Sequence, residues 1–250
     1  MNRLLNLMII ILSISVILIK GDYLEYRKVH LVDQTTPLGN GNINYLFRGN
    51  EPKELINGTE YFAYEELINC MVNNSLSAGV KLPPQFIIVD IKLIYGLIDE
   101  ESDIELEQTF FNANPQYGEF GTNVTLGDLW DPNFLPERDV KNWALNLSDW
   151  QHDNLPHRIP FYHDLLYTQH DLPLILYIHC ECGCDRTGEV FASYAMKYLD
   201  YSFKESMEWD YKIAGRRIMI NHQFASQWYC YYLQVAEGMT IDCSPPPLLE

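Results

Sequence analysis

Basic residues are scarce in this chain: its 250 residues include 17 Lys and Arg against 34 Asp and Glu, for a formal net charge of −17 at pH 7. A surface with this excess of negative charge repels polyanions, so the composition disfavours nucleic acids and anionic membranes as partners. Internal repeats and low-complexity tracts are also missing, and nothing indicates a repeat protein. The length leaves room for one sizeable domain.

The sequence lacks a hydrophobic run long enough to cross a bilayer. Its most apolar stretch, Leu4 to Ile19, has 16 residues, whereas a spanning helix needs about 20. This stretch follows a basic start at Arg3 and precedes the small residue Gly21, which is the layout of a secretory signal peptide. We therefore predict a signal peptide over residues 1–21 and no stable membrane insertion once it is cleaved.

Other features agree with passage through the secretory pathway. Four Asn-x-Ser/Thr sequons predict a glycoprotein that is secreted or retained in the secretory or endolysosomal lumen; they begin at Asn57, Asn73, Asn123 and Asn146.

Three consecutive prolines, Pro245 to Pro247, lie near the carboxyl terminus. We expect one domain over residues 22–243 and a Pro-rich tail over residues 244–250, and the oligomeric state stays open.

The densest group of chemically active residues runs from His179 to Gly188, in the order His-Cys-Glu-Cys-Gly-Cys-Asp-Arg-Thr-Gly. The apolar stretch from Leu174 to Ile178 predicts a strand before this group, and a helical pattern follows it. A tight loop between a strand and a helix N-terminus gathers backbone N–H groups and the positive end of the helix dipole into an oxyanion cradle. The same field stabilises a cysteine there as a thiolate.

This segment resembles the signature of the cysteine-dependent protein tyrosine and dual-specificity phosphatases, H-C-x-x-G-x-x-R-[ST]-G, at every defined position. The resemblance implies a cysteinyl-phosphate mechanism in which Cys180 is the nucleophile and Arg186 grips two phosphate oxygens. The residues implied to bind phosphate are Glu181, Cys182, Gly183, Cys184, Asp185 and Arg186. Those implied to support the loop are His179, Gly188 and Thr187, the last through a hydrogen bond to the sulfur.

A metal site is the competing interpretation of the same residues. Four zinc-type donors occur within six positions, namely His179, Cys180, Cys182 and Cys184. Neighbouring donors on an extended chain point apart, however, and the sequence has no second Cys/His cluster. We therefore expect neither a metal nor another cofactor.

Cysteine is used sparingly, with six in the chain. An even number in a secreted protein favours disulfides, but the resemblance requires Cys180 as a free thiolate. Three cysteines are left as candidates for structural pairing, in undetermined connectivity: Cys70, Cys230 and Cys243. Within the loop, Cys182 and Cys184 could act as local redox partners.

Phosphate transfer also needs an acid that protonates the leaving oxygen. The stretch from Trp150 to Pro156 resembles the acid loop of the tyrosine phosphatases, W-P-D-x-G-x-P, with both end residues in register. His152 occupies the family's aspartate position, whereas Asp153 fits the D-x-x-P form of the dual-specificity enzymes. Asp153 is therefore the expected general acid, with His152 and Asp149 as alternatives and a simple turn as the non-catalytic interpretation.

Two shorter resemblances extend the match. Gln223 and Gln227 fit the family's Q-x-x-x-Q loop, whose glutamines position the hydrolytic water; ordinary polarity of a helix surface is the alternative. The segment from Phe47 to Pro52 is similar to the F/Y-R-G-x-x-P opening of many dual-specificity-type enzymes. The stretch from Leu93 to Asn142 matches nothing that we can place.

The motifs and the element pattern together predict an α/β phosphatase-type sandwich. Its central, mostly parallel sheet is flanked by helices, and the active loop lies between a central strand and the following helix. Strands are expected over residues 45–52, where the strand ends in a turn, and over residues 86–91. Helices are expected over 61–72, 186–199 and 222–237, with another that a Ser202/Glu205 capping box opens and Gly215 ends. The acidic stretch from Asp99 to Glu107 is interpreted as an exposed connection.

The expected function is that of a phosphomonoester hydrolase of the protein-tyrosine or dual-specificity type, acting on a phosphorylated protein or a small phosphomonoester. Glu181 and Asp185 add negative charge at the loop, which disfavours multiply phosphorylated substrates. Because Asp185-Arg186-Thr187 also resembles myotubularin and Sac-type loops, a phosphoinositide phosphatase is the alternative enzyme. A catalytically weak, phosphatase-like binding module is the alternative from another class.

Overall fold

The computed structural model describes residues 23–98 and 100–245. The predicted signal peptide, residues 1–21, lies outside this range. Most of the predicted tail, residues 246–250, lies outside it as well. Strands in the described part are β1 His30–Gln34, β2 Tyr45–Asn50, β3 Lys53–Ile56, β4 Thr59–Phe62, β5 Ile87–Ile94, β6 Gly118–Val124 and β7 Leu174–Cys180. Its α-helices are α1 Tyr64–Ser77, α2 Glu101–Ala113, α3 Glu137–Leu145, α4 Leu147–Trp150, α5 Leu155–Leu166, α6 Asp185–Tyr198, α7 Phe203–Ala214 and α8 Ile220–Val235.

Five strands form one sheet in the order β1–β2–β7–β5–β6. The pairs β2–β7, β7–β5 and β5–β6 are parallel, and only the edge strand β1 runs antiparallel to its neighbour. Strands β3 and β4 make a separate hairpin. The predicted α/β architecture with a mostly parallel sheet is therefore confirmed, and β7 is its central strand.

The alternation of side chains along β7 separates two hydrophobic cores. Leu176 and Ile178 face the larger core, which contains residues of α3 through α8. Ile175 and Tyr177 face the smaller core, which contains residues of α1, α2 and β4. Helices thus cover both faces of the sheet, which explains why every residue of β7 is buried.

The predicted helices after the loop are found close to their expected ends. The capping box at the start of α7 has both of its hydrogen bonds, between the side chains and backbones of Ser202 and Glu205. Gly215 ends α7 in the left-handed region, at φ 74°. Among the described residues, no helix combines the length and the apolar character that a membrane crossing requires.

The interpretation of the acidic stretch as an exposed connection is wrong. From Glu101 onward these residues form α2, and Glu107 is fully buried beneath the sheet. Glu100, just before the helix, is also buried. Glu107 binds cations of the sheet, and Glu100 binds Arg186 of α6, so their charge is compensated inside the protein rather than hydrated outside it.

Gly49 of β2 lies where the sheet leaves no room for a side chain. A Cβ atom built on Gly49 would be 2.0 Å from the hydroxyl oxygen of Tyr177, which is itself fully buried on β7. We expect Gly49→Ala to lower the free energy of unfolding by roughly 1–3 kcal/mol, because a buried ring cannot move aside without repacking. Urea unfolding of the purified variant would measure this change.

Gly121→Ala is the matched control. Gly121 lies on the edge strand β6, and a Cβ built there meets no heavy atom within 4 Å. This variant should keep the parent stability within about 0.5 kcal/mol. Equal effects at the two positions would contradict the close packing of β2 against β7.

Candidate active site

Cys180 ends the central strand, and a four-residue loop, 181–184, joins it to α6. Its side chain belongs to the larger core and is 2% exposed. The thiol is free, unlike those of its neighbours Cys182 and Cys184. The predicted order of strand, loop and helix is thus confirmed, and the loop lies at the carboxyl end of the parallel strands, where open α/β sheets bind ligands.

The N-terminus of α6 is open toward this loop. Its cap residue, Cys184, makes no side-chain capping hydrogen bond. The Gly188 N–H donates to the Cys184 carbonyl at 3.0 Å, and the N–H groups before it have no intrahelical carbonyl to bind. Such a helix end carries partial positive charge and attracts anions.

Gly183 brings the loop into direct contact with β2. It has φ 67°, and a Cβ atom there would be 2.5 Å from the Gly49 carbonyl oxygen. The guanidinium of Arg48 donates to the Gly183 carbonyl at 3.0 Å and to Asp210 at 2.7 Å. Arg48 and Gly49 belong to the short F/Y-R-G resemblance, so that weak motif marks the residues on which the loop rests.

Arg186 is buried in the first turn of α6 and held by groups from the β5–α2 connection. Its Nη1 donates to the Leu93 carbonyl at 2.7 Å and to the two carboxylate oxygens of Glu100 at 2.6 and 2.8 Å. The Tyr95 ring lies 4.1 Å from the guanidinium carbon. Burial alone would lower the pKa of Arg186, but Cys180 and Glu100 outweigh burial and raise it.

Two disulfides are present in the described residues. Cys182 and Cys184 are bonded to each other inside the loop, and Cys230 of α8 is bonded to Cys243. Two of the three candidates for structural pairing are therefore paired. Cys70, the third, is a buried free thiol whose pKa is raised by burial to about 11.

His179 points to the opposite face of the sheet from Cys180, into a cluster of buried charges. Its Nε2 lies 3.0 Å from Glu107 and 3.1 Å from Asp90. Lys92 of β5 binds Glu107 at 2.9 Å and also Glu51. The predicted position of His179 behind the loop agrees with this arrangement.

The cluster contains three carboxyl groups but two cations, so complete ionisation would leave a buried negative charge. Burial and the neighbouring Glu107 raise the pKa of Glu51 to about 8. Burial alone would lower the pKa of His179, but Glu107 and Asp90 raise it well above its ordinary value. One proton held by Glu51 would leave the three carboxyl groups and the two cations with no net charge.

Thr187 does not make its predicted hydrogen bond. The side chain is fully buried, and its hydroxyl has no partner among the described residues. The Cys180 sulfur therefore lacks the contact that the resemblance implied. Gly188 keeps a supporting role through size alone, because a Cβ there would lie 2.8 Å from Asp210.

The negative charge expected at the loop is largely compensated. Asp185 accepts hydrogen bonds from the Met219 N–H at 2.7 Å and from the Arg216 guanidinium at 2.9 Å. The Glu181 carboxylate is half-exposed and lies 3.7 Å from Arg186. The inference that these two acids repel multiply phosphorylated substrates is correspondingly weakened.

The predicted acid loop is fixed in place by its surroundings. Asp153 is fully buried, and its two oxygens accept the backbone N–H groups of Leu126 at 2.9 Å and Gly127 at 2.6 Å. Trp150 packs against Trp143 and Trp228, with ring centroids 5.7 and 5.4 Å away. This placement argues against Asp153 as the general acid, because neither oxygen is available to a leaving group.

The two alternative acids are more accessible than Asp153, since the side chains of both His152 and Asp149 are exposed.

The two glutamines of the predicted Q-x-x-x-Q loop differ in their surroundings. Gln227 is buried and bonds to Asn133 at 2.9 Å and to the Cys243 carbonyl at 3.0 Å, which argues against a role in positioning water. Gln223 is partly buried in the first turn of α8, and its predicted role stays a prediction.

Several residues near the site were not anticipated from the sequence. Tyr95, whose ring covers Arg186, shares a hydrogen bond with His222 at 3.0 Å. His222 in turn lies 2.6 Å from Glu189 of α6. Burial lowers the pKa of His222 to about 4 and raises that of Glu189 well above its ordinary value. The only signal in the sequence is that Glu189 directly follows the motif and His222 directly precedes Gln223.

The sequons differ in accessibility. Asn57, Asn73 and Asn146 are exposed. Asn123 lies near the end of β6 and is partly buried. The folded structure therefore presents three of the four predicted glycosylation sites at its surface.

No family model matches the chain, and no curated protein matches its sequence. Among solved structures, one that is similar is named "Protein Tyrosine Phosphatase (putative) from Leishmania major"; it is 12% identical, and the alignment covers 81% of this chain and 96% of that one, with a TM-score of 0.32. A similarity at this level carries no argument about chemistry.

The buried charge cluster predicts how stability depends on pH. Folded Glu51 keeps its proton up to about pH 8, whereas the ordinary value is 4.5. Its contribution is complete at low pH and is lost as the pH rises toward 8, at about 1.4 kcal/mol per pH unit for one proton. We expect the free energy of unfolding to fall as the pH rises to 8, and to fall less in Glu51→Gln.

Urea unfolding at several pH values would measure both slopes. Glu54→Gln, the same change at a less buried position in β3, is the control and should keep the parent slope. A Glu51→Gln slope equal to that of the parent protein would contradict the retained proton.

Proposed function

We propose that the chain hydrolyses phosphomonoesters through a cysteinyl-phosphate intermediate. The proposal rests on one observation: the free thiol of Cys180 ends the central strand, and a four-residue loop separates it from a helix N-terminus that has no side-chain cap and carries Arg186. An anion at such a site is stabilised by the helix dipole and by unpaired N–H groups. The same field favours a thiolate nucleophile.

The first step forms a bond between the Cys180 sulfur and phosphorus while the bond to the leaving oxygen breaks. That oxygen takes a proton from a general acid, for which His152 and Asp149 are the accessible candidates. Nη1 of Arg186 is engaged by Glu100 and Leu93, so a bidentate grip on the phosphate uses the other two guanidinium nitrogens. Water then attacks phosphorus, and the thiolate leaves. Phosphate and an alcohol are the products.

We propose that the natural substrate is a phosphorylated protein or small phosphomonoester, and that the protein is secreted or lumenal. Two disulfides and three exposed sequons support an oxidising compartment and glycosylation. The signal peptide proposed for residues 1–21 lies outside the described residues.

A phosphoinositide phosphatase is the second candidate. The observation that favours it is the pairing of Asp185 with Arg216 beside the loop. This pairing offsets an acid that would otherwise repel a multiply phosphorylated headgroup, and it adds a cation that the motif did not include. Comparing a phosphotyrosine peptide with a soluble phosphoinositide headgroup as substrates would separate the two candidates.

The third candidate function is that of a binding module that does not turn over its ligand. Glu100 already occupies one edge of the Arg186 guanidinium, and Asp153 is not free to donate a proton. Such a protein would bind a phosphorylated ligand without hydrolysing it.

Cys180→Ser tests the nucleophile. We expect the parent protein to hydrolyse a small aryl phosphate and the variant to lose at least about 10³-fold in turnover, because an alcohol cannot replace the thiolate at this site. Acid quenching during turnover should trap phosphate on Cys180 of the parent protein, and peptide mass mapping would locate it.

Cys70→Ser is the matched control, since Cys70 is the other buried free thiol, and its turnover should equal that of the parent. If the parent protein shows no turnover between pH 4 and 8, the hydrolase is excluded and the binding module is left. Full activity in Cys180→Ser would exclude the cysteinyl-phosphate.

The position of Asp153 predicts that its substitution acts on folding. Asp153→Asn turns a carboxylate that accepts two backbone N–H groups into an amide, and we expect a loss of roughly 1–3 kcal/mol in unfolding free energy. The ratio of turnover for poor and good leaving groups should stay at its parent value. A selective loss of poor leaving groups by 10²-fold or more would instead restore Asp153 as the general acid.

A further inference from the structure

We propose that Cys182 and Cys184 form a redox-active disulfide that exchanges with external dithiols, an activity separate from phosphoester hydrolysis. The two sulfurs differ in accessibility: Cys182 is half-buried, whereas Cys184 is 1% exposed. One sulfur is therefore open to an attacking thiolate, and the other is shielded. This asymmetry is what a pair with one exchanging and one resolving cysteine requires.

Two cations flank the accessible sulfur. The Lys28 ammonium lies 3.6 Å from the Cys182 sulfur, and the Arg216 guanidinium lies 3.7 Å from it. They reach it from separate parts of the chain, the 3₁₀ turn Tyr26–Lys28 and the connection between α7 and α8. In the reduced protein these cations would stabilise a Cys182 thiolate and so favour reduction.

The exchange proceeds in two steps. A thiolate of the external dithiol attacks the Cys182 sulfur, the bond to Cys184 breaks, and the Cys184 sulfur leaves with the electron pair and takes a proton. The dithiol is now joined to Cys182 by a mixed disulfide. Its second thiolate attacks the dithiol sulfur of that bond and releases Cys182 as a thiolate. The loop disulfide gains two electrons, and the dithiol loses two and closes into a disulfide.

The second disulfide of the chain provides an internal reference. Cys230 is fully buried and Cys243 is 3% exposed, so neither sulfur offers an open approach. The two disulfides should therefore respond differently to the same reductant.

The test is a redox titration of the purified protein carrying Cys180→Ser, which removes the free thiol at the end of β7, next to the loop. Samples equilibrated over a range of reduced to oxidised dithiothreitol are acid-quenched, alkylated and mapped by mass spectrometry. We expect the Cys182–Cys184 pair to open at a ratio at least about tenfold lower than the Cys230–Cys243 pair.

Lys28→Gln tests the contribution of the flanking charge, and we expect it to raise the ratio needed to open the loop disulfide several-fold. Lys141→Gln is the control for net charge, because Lys141 pairs with Glu137 on α3. It should leave the ratio unchanged. Equal opening of the two disulfides, or equal ratios in Lys28→Gln and Lys141→Gln, would overturn the proposal.

A further test of the flanking cations measures how the alkylation rate of Cys182 depends on pH in the reduced Cys180→Ser protein. It needs no variant of Lys28 or Arg216. Lys28 also pairs with Glu25, and Arg216 with Asp185, so the sulfur faces two cations that are partly neutralised. We still expect the alkylation rate of Cys182 to reach half its maximum below the ordinary thiol value of about 8.5. A midpoint at or above that value would overturn the proposal. Neither measurement uses a phosphoester, so failure of the proposed hydrolase would not affect the outcome.

Discussion

The position of the loop after β7 depends on one buried cation, the guanidinium of Arg48. Arg48 is fully buried, and it binds the Gly183 carbonyl and the carboxylate of Asp210 at once. Removing one partner from such a pair leaves an uncompensated buried charge, at a cost of roughly 3–5 kcal/mol. Because Arg48 lies on β2 and Asp210 on α7, this interaction joins the sheet, the loop and the outer helices at a single point.

The same pattern of charge extends around the loop. The chain is strongly acidic, yet three cations lie at the loop: Lys28 and Arg216 contact a loop sulfur, and Arg186 lies in the first turn of the helix beyond it. Acids from distant segments, such as Glu100, compensate them. An acidic protein can hold a positive site in this way because each buried or half-buried cation has its own carboxylate partner.

Local signals in the sequence predicted the elements whose ends are set by local hydrogen bonds. The Ser202 cap, the Gly215 stop and the strand before Cys180 all belong to this kind. The acidic residues after β5 could not be interpreted in the same way. A run of acids is typical of a solvated segment, and burial of Glu107 becomes favourable only because Lys92 and His179 lie beside it in the folded sheet.

The sequence by itself determined the α/β class and the order of strand, loop and helix around Cys180, because hydrophobic period and capping are short-range properties. Tertiary structure alone decided which groups contact Arg186 and which sulfurs are paired. It also decided that Asp153 binds the backbone near Gly127 rather than facing the loop. Those outcomes depend on distances between segments far apart in the chain, and a residue's neighbours in space, not its neighbours in sequence, set its charge state and its accessibility.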